Sequence, residues 1–311
     1  MDPGQPTTPR YQALIGPWFH AVIGSGGPDL NELALRWFDR WLKGVRNGVD
    51  RTRTPLQILE RDRTRHDLTH WPVPEAPAKR FALSAGGTLT TGTPRPGAAG
   101  LVFTGLSLPC QRSTEQWALG LGEALTNALK VPEPCRDSAL QPPLPPPATL
   151  TFTTAPVTAP TTIAGPLTAE LTLTSTTPDA EIIAKVYDVD PSGTARELTI
   201  GGLLASARAL DEQLSWRTQD GTLIYPHHPI THAARKPLVP GRPERLAIEI
   251  PPTVHTLKPG HRLRLVLATG EFPARFPLPG DLPNLLGGAY RVDLGGAEPS
   301  RLNVPMVAAS R

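Results

Sequence analysis

The sequence predicts a mainly β protein, a β-sandwich preceded by one short strand, a loop and a helix. Leu167, Ala169, Leu171 and Leu173 alternate with polar residues, as a strand with one buried face requires. The 38 prolines and 28 glycines among 311 residues indicate tight turns between many short strands. The clearest helical periodicity is confined to residues 30–42.

The first element is the apolar run Ala13-Leu14-Ile15, which is typical of a short buried strand. Gly16 and Pro17 end it, so His20 is expected in a loop just past the strand's carboxyl end. In open α/β sheets, ligands and catalytic groups collect at that edge. Taken alone, a loop histidine is more often solvated or structural than catalytic, so the sequence that follows decides its interpretation.

The second element is an amphipathic helix. Asp29 is its expected N-cap, Glu32 completes a capping-box-like pair, and Gly44 is expected to end it in a left-handed conformation. One wide face is apolar and consists of Leu30, Leu33, Ala34, Trp37, Phe38, Trp41 and Leu42. Two outcomes are open for this face: it is left uncovered, or it folds back onto the sandwich.

From about Thr54 onward the pattern is that of strands. Residues 181–189, 245–250 and 261–268 are expected to form strands with one buried face and one face exposed to solvent, as residues 167–174 are. Pro, Gly and Asp turns separate these runs at spacings that suit a sandwich. We therefore divide the chain into residues 1–53, which hold the strand, loop and helix, and residues 54–311, which form the sandwich.

Composition excludes several classes of protein. The net charge of +3 is small and the basic residues are scattered, so a nucleic-acid partner is not expected. No apolar stretch approaches the roughly 20 residues that span a bilayer, so no membrane partner is expected either. Residues 1–6 have neither a basic start nor an apolar core, so no signal peptide is visible.

Several short sequence motifs along the chain resemble the motifs of one known family. They are Gly-Pro-Trp-Phe-His at 16–20 and the stretches 34–44, 55–59, 71–74, 178–189, 208–210, 226–229, 239–241, 258–265 and 287–290. In this order they are similar to the CocE/NonD hydrolases, which include cocaine-esterase-like and X-prolyl dipeptidyl-peptidase-like enzymes. The resemblance covers nearly the whole chain. It implies a jelly-roll β-sandwich after the terminal strand, histidine loop and helix of an α/β-hydrolase domain.

By this resemblance, His20 is the general base of a serine hydrolase. The triad of such enzymes runs along the chain as Ser, then Asp or Glu, then His, so a histidine this early leaves no room upstream for the other two members. The resemblance implies hydrolysis of a small acyl ester, or of a peptide after a proline, and no cofactor. The partner it implies is an N-terminal hydrolase half that carries the serine, and this chain alone is expected to be inactive.

Three explanations of the missing half are open. The chain is a truncated product, or it pairs with a separate polypeptide that carries the serine, or it is a non-catalytic jelly-roll binding module. The retained Gly-Pro-Trp-Phe-His phrase argues against the binding module, because such a module needs no hydrolase remnant.

Cys110 and Cys135 are the two cysteines of the chain. An even pair that flanks a loop-like segment suggests a disulfide, although two unrelated buried thiols are the alternative. Secreted members of the resembling family carry cysteines in this region. A disulfide favours a secreted or cell-envelope location.

Other candidate sites are weak. His66 and His70 have the spacing of a metal-binding helical pair, but residues 67–72 are expected to form a loop, so no metal site is predicted. His227, His228 and His232 lie among prolines in an irregular segment whose role is interpreted as structural. Ser84 stands in an imperfect nucleophile motif, but Gly86, Gly87 and Thr88 predict a hairpin where a nucleophile elbow needs a helix.

Overall fold

The computed structural model describes residues 12–16, 30–51, 54–60, 62, 64–73, 76–105, 144–271, 275, 277–296 and 298–308. The helix within these ranges is α1 (Leu30–Lys43). The strands are β1 (Ala13–Ile15), β2 (Leu56–Leu59), β3 (Arg65–Leu68), β4 (Ala78–Ser84), β5 (Thr88–Thr90), β6 (Gly97–Val102), β7 (Thr149–Thr153), β8 (Thr161–Ser175), β9 (Glu181–Val189), β10 (Ala195–Leu204), β11 (Trp216–Arg217), β12 (Leu223–Tyr225), β13 (Pro243–Leu257), β14 (Arg262–Ala268), β15 (Ala289–Leu294) and β16 (Arg301–Ala308).

The chain forms two compact units. The first contains Met1–Pro74 and Thr114–Glu133, and the second contains Glu75–Ser113 and Pro134–Arg311. Strands β2 and β3 thus belong to the same unit as β1, with which β2 pairs. The sequence-based boundary between residues 53 and 54 stays a prediction, since it concerns the extent of the domains of a longer hydrolase.

In the first unit, β1 pairs with β2 in parallel, and β2 pairs with β3 in the antiparallel sense. Helix α1 lies between β1 and β2 in the chain, so this unit contains a β-α-β succession, the connection that parallel strands need. The predicted end of the helix is confirmed, because Gly44 has φ 72° directly after Lys43. Glycine takes this left-handed conformation without the steric cost that a Cβ would bring.

The second unit is the predicted β-sandwich. Its strands are hydrogen-bonded in the order β10-β9-β14-β7-β5-β4-β16-β8-β15-β6, and β13 pairs with the other edge of β8. Strand β8 is central to one layer, because it pairs with β13, β15 and β16. The layers approach closely where β10 meets β13: a Cβ on Gly201 would lie 2.0 Å from the Glu249 carbonyl oxygen, so only glycine fits there.

The core lies between the two layers and consists of the inward-facing alternate residues of both. In β8 the expected buried face is confirmed, because Leu167, Ala169, Leu171 and Leu173 are fully buried. The opposite face is not solvated throughout, because Thr168 is fully buried as well. They join one cluster with Ile182, Ala184, Val186, Leu246, Ile248, Ile250, Leu263, Leu265, Leu267, Leu302 and Val304. Burying such side chains contributes about 1.5–3 kcal/mol each, which makes this cluster the main source of the fold's stability.

The predicted one-sided burial of residues 181–189 is wrong. All nine residues of β9 are buried, so both faces of this strand are covered. The inner residues join the main core, and on the other face Tyr187 and Val189 form a second apolar cluster with Ala195 and Val266. A polar side chain such as Lys185 on that outer face is consequently enclosed instead of wet.

Candidate functional site

The predicted catalytic histidine comes after β1 in the chain, and β1 is one strand of the parallel pair β1–β2. The register sets Ala13 opposite Leu56 and Ile15 opposite Ile58, and the Ala13 amide donates to the Pro55 carbonyl at 2.8 Å. Because the strands are parallel, their carboxyl ends lie at one edge of the sheet, and β1 leads from that edge toward His20 in the chain. His20 itself lies outside the described residues, so its role stays a prediction.

A buried acid stands at the same edge, directly after β2. Glu60 is 5% exposed, and its Oε1 lies 2.6 Å from Nε2 of His66. His66 lies in strand β3, so the expectation of a loop from residue 67 is wrong for Asp67 and Leu68, which continue this strand. Their pairing with β2 imposes the extended conformation, which no local signal announced.

The pair His66 and His70 is not brought together by the structure. The His66 ring is engaged by Glu60, whereas Nδ1 of the exposed His70 lies 2.9 Å from the Thr69 hydroxyl. Sequence reasoning missed Glu60, although an acidic residue directly after an apolar strand was a usable signal. Among the described residues, no group of three or more His, Cys, Asp or Glu side chains is arranged to hold a metal ion.

Helix α1 leaves its apolar face exposed. Trp41 is 55% exposed and Leu42 is 77% exposed, and Leu33, Trp37 and Phe38 are exposed as well. The polar side is ordered by ion pairs, Lys43 with Asp39 at 2.7 Å and Arg40 with Asp50 at 2.6 Å. Patches of this kind mark a surface that another protein or segment covers.

We expect the isolated chain to self-associate through this face. Replacing Trp41 by Gln together with Leu42 by Glu removes two large exposed apolar side chains, so sedimentation velocity should show less association than for the unaltered chain. Leu278→Glu is the matched control, since Leu278 is 70% exposed but lies in the second unit. A clean monomer for the unaltered chain, with no binding of the apolar dye ANS, would contradict this expectation.

Ser84 lies in the predicted hairpin, which is confirmed. It ends β4, Gly86 and Gly87 follow with φ of 88° and 74°, and β5 begins at Thr88. Its Oγ is buried and accepts a hydrogen bond from the Arg95 amide at 2.9 Å. A hydroxyl enclosed in a turn in this way holds the hairpin and is not presented to a substrate.

The histidine-rich segment is irregular, as its prolines indicate. The two ring nitrogens of His228 lie 3.0 Å from the Ala209 carbonyl oxygen and 2.8 Å from the Ala247 carbonyl oxygen. Both contacts are hydrogen bonds only when both nitrogens carry a proton. His228 thus ties this segment to β13, which supports the structural interpretation, while His232 begins a separate single helical turn.

Cys110 and Cys135 lie outside the described residues, so the disulfide stays a prediction. If they are bonded, titration of the unfolded protein without reductant will count no free thiol, and after reduction it will count two. Two free thiols before reduction would refute the pairing and remove the argument for an oxidising compartment.

The sandwich encloses a charged cluster that sequence reasoning missed. Nζ of the fully buried Lys185 lies 2.9 Å from Oε1 of Glu271 and 3.2 Å from Oε2 of Glu197, and the Tyr187 hydroxyl lies 3.3 Å from the same Glu197 oxygen. Burial raises the pKa of Glu271, and the Lys185 charge opposes that rise. The signal was a lysine within the apolar run of residues 181–189. Oε2 of Glu271 is buried and has no hydrogen-bond partner in the described part of the chain, so the charges are paired but the hydrogen bonding of the cluster is incomplete. Because Lys185, Glu197 and Glu271 are all buried, the cluster presents no exposed group to a substrate.

Glu181 is a second buried acid on β9. Burial raises its pKa to about 7, the Arg275 charge opposes the rise, and Asp179 and Asp281 add to it. Asp281 is itself paired with Arg235 at 2.6 Å, so this end of the second unit holds alternating charges. Glu181 is therefore a group whose charge changes near neutral pH inside the sandwich.

A third constellation joins three segments at the sandwich surface. The Asp188 carboxylate accepts from Nε2 of His255 at 2.9 Å and from Nδ1 of His261 at 2.8 Å. Burial on its own raises the pKa of Asp188, but the hydrogen bonds and charges of the two histidines outweigh it, so this pKa lies below its ordinary value. The cluster ties β9 to β13 and to the turn before β14.

Because the pKa of Asp188 is lowered by folding, its contribution to stability is complete above the unfolded value of about 3.9 and is lost as the pH falls through the folded value. We expect Asp188→Asn to destabilise the chain at pH 7 and to flatten the loss of stability below about pH 4. Urea unfolding across pH measures this. Glu298→Gln is the control, and an unchanged acid limb in Asp188→Asn would count against the assignment.

No helix among the described residues has both the length and the apolar character that crossing a membrane requires.

Comparisons with known proteins find one matching family and several similar proteins. Residues 47–303 match the family described as the X-Pro dipeptidyl-peptidase C-terminal non-catalytic domain. Two proteins named "Putative serine esterase", from Mycobacterium bovis and Mycobacterium tuberculosis, are each 27% identical over 314 residues. The match covers 97% of this chain but 46% of each relative, so the chain spans about half the length of these relatives.

Solved structures agree on the fold. A CocE/NonD family hydrolase from Staphylococcus aureus has a TM-score of 0.65 at 17% identity, covering 90% of this chain and 46% of that one. An aminopeptidase from a marine sediment archaeon, Thaumarchaeota, has a TM-score of 0.67 at 18% identity, covering 96% and 49%. An α-amino acid ester hydrolase has a TM-score of 0.63 at 18% identity, covering 95% and 50%. The predicted sandwich architecture is confirmed.

Proposed function

The chain belongs to the family of X-Pro dipeptidyl-peptidase C-terminal non-catalytic domains, and we propose that it is the C-terminal half of a serine hydrolase of the CocE/NonD type. The matched range begins at residue 47, so the segment that carries His20 precedes it. The proposed substrates are small acyl esters or peptides with a proline before the cleaved bond. The proposed partner is the N-terminal hydrolase half with the nucleophilic serine.

The observation that carries this proposal is the parallel pair β1–β2. A sandwich needs no parallel strand in front of it, and the chain leaves β1 toward His20 at the edge where α/β sheets place their chemistry. The exposed apolar face of α1, and the edge of β1 that no described strand pairs with, fit a unit whose remaining sheet is supplied by another half. The length of the mycobacterial relatives, about twice the matched region, agrees with this division.

In the proposed mechanism, His20 removes the proton from the serine hydroxyl as the serine attacks the acyl carbonyl. His20 then returns that proton to the leaving alcohol or amine, and water repeats the cycle to release the acid. The serine, the acidic partner of His20 and the oxyanion-hole donors belong to the other half. A base without a nucleophile or an oxyanion hole loses most of the rate enhancement.

The test compares the isolated chain with the chain joined to a serine-bearing half. Alone, it should hydrolyse p-nitrophenyl acetate and X-Pro p-nitroanilides no faster than its His20→Ala variant. Co-expressed with the N-terminal half encoded upstream, it should gain activity and take up a fluorophosphonate label on that half. Labelling of the isolated chain at Ser84, or a joined protein that stays inactive, would refute the proposal.

The DNA upstream of the coding sequence distinguishes a truncated product from a split enzyme. A Gly-x-Ser-x-Gly motif in the same or a shifted frame indicates a truncated product, and a motif in a separate adjacent frame indicates a split enzyme.

A binding module is the second candidate, because the matched family is described as non-catalytic. Under this alternative the chain binds a ligand by itself, and His20→Ala changes no property of the joined protein. The activity of His20→Ala in the joined protein therefore distinguishes the two candidates: it falls if the chain is part of a hydrolase and is unchanged if the chain is a binding module. Ligand binding by the sandwich is the same in both cases.

A further inference from the structure

An arginine-lined cavity lies on the outer face of the sandwich. It has a volume of about 210 Å³, and its floor is formed by four adjacent strands, β4, β16, β8 and β13. Each strand contributes one charged side chain on the same face: Arg80, Arg301, Glu170 and Arg245. Register explains this, because Arg301 is opposite both Ala82 and Glu170, and Arg80 and Arg245 lie two residues away along the neighbouring strands.

The hairpin of β11 and β12 forms a wall of this cavity. Arg217, Asp220 and Thr222 line it, and the Leu223 carbonyl accepts a hydrogen bond at 2.9 Å from Nδ2 of Asn303, which holds the hairpin against β16. Arg217 is fixed by a bond to the Gly221 carbonyl at 3.2 Å and by a pair with Glu212 at 3.0 Å. The cavity is thus built on strands and a braced hairpin.

Three carboxylates oppose an anion in the cavity, and each has partners of its own. Glu170 accepts from Asn303 at 2.8 Å and lies 3.6 Å from Arg245. Asp220 accepts from the Thr222 amide at 3.2 Å within its own turn. The side chain of Glu298 is 76% exposed and lies 3.7 Å from Arg245, so water screens it.

Two guanidinium groups retain unused donors. Arg80 forms no ion pair or side-chain hydrogen bond with any described residue. Arg301, whose side chain is 20% exposed, uses only Nε, which lies 3.3 Å from the Pro299 carbonyl and 3.8 Å from Glu170. Its terminal nitrogens have no partner in the described part of the chain. A guanidinium fork is the geometry that oxyanions bind in a bidentate manner.

We propose that this cavity binds a tetrahedral oxyanion, the phosphate group, between Arg80 and Arg301, with Arg217 and Arg245 at its rim. The volume of about 210 Å³ is large enough for a phosphate group and for part of a molecule that carries it. The proposal does not rest on the hydrolase function, since all of its residues lie in the second unit.

The experiment titrates the full chain with inorganic phosphate by calorimetry, with sodium chloride holding the ionic strength constant. We expect saturable binding with a Kd of about 1 mM or tighter, and at least about tenfold weaker binding in Arg80→Gln. Arg196→Gln is the matched control, since Arg196 is exposed on β10 and does not line the cavity. Because Arg80 is exposed and acts on Asp220 only through its charge, without an ion pair or side-chain hydrogen bond to a described residue, its variant should unfold within a few degrees of the unaltered chain.

Two further arms complete the design. Glycerol 2-phosphate that binds as tightly as phosphate assigns the cavity to a phosphate group on a larger molecule, and phosphate that binds alone assigns it to the free ion. Arg301→Gln should weaken both ligands. Binding that does not saturate by about 20 mM, or that falls equally in Arg80→Gln and Arg196→Gln, would overturn the proposal.

Discussion

In the proposed complex with a serine-bearing half, replacing His20 by alanine is expected to lower kcat/KM by about 10³-fold or more. The serine and the oxyanion hole remain, so a residual rate above that of water survives, but the proton of the serine has no acceptor. Steady-state kinetics with p-nitrophenyl acetate measures the loss. His70→Ala is the matched control, because His70 is an exposed histidine of the same unit whose ring is hydrogen-bonded to Thr69 among the described residues.

A chemical readout separates a lost base from a damaged fold. Added imidazole should restore part of the activity of His20→Ala by acting as the missing base, and it should leave a variant of the serine inactive. A loss of less than about tenfold in His20→Ala, or an equal loss in His70→Ala, would show that His20 is not the base.

Replacing Lys185 by methionine is expected to cost about 3–5 kcal/mol of the free energy of unfolding. The variant keeps the length of the side chain but leaves Glu197 and Glu271 buried beside each other without the ammonium that lies 3.2 and 2.9 Å from them. Urea unfolding measures the cost. Lys79→Met at the exposed start of β4 makes the same chemical change in water and should alter stability by less than about 0.5 kcal/mol.

Two results distinguish charge burial from a packing defect. Adding Glu197→Gln and Glu271→Gln to Lys185→Met should recover much of the loss, because no unpaired charge then remains. The deficit of Lys185→Met should also shrink as the pH falls toward the unfolded value of about 4.3 for glutamate, since burial raises the pKa of Glu271 and the folded state holds that proton more tightly. A deficit that is independent of pH and of both glutamates would refute this account.

Local patterns were sufficient for the regular elements. The spacing of apolar residues located α1, and Gly44 marked its end because a left-handed residue is cheapest at glycine. Alternation located β8, and two consecutive glycines located the turn after Ser84. The family resemblance added the sandwich architecture, which the match over residues 47–303 and the solved structures support.

The local sequence pattern could not predict the burial of both faces of β9 or the strand conformation of Asp67. Both depend on what lies against the strand, a second cover over the outer face of β9 and the pairing of β3 with β2. An apolar residue at every second position indicates one buried face, but it does not indicate whether the other face is also covered. Lys185 therefore had the pattern of a solvated residue, while the fold placed it between two carboxylates.

The sequence by itself determined the class of the protein, helix α1, the alternating strands and the histidine motif, because these depend on near neighbours in the chain. Only the tertiary structure decided which distant charges meet. From each of Arg80, Glu170, Arg245 and Arg301 to the next, some 55 to 90 residues intervene in sequence, and the four share one cavity because strand order and register set them on the same face. Register is fixed by the burial of the opposite face, since a slip of one residue would expose the core and hide these arginines.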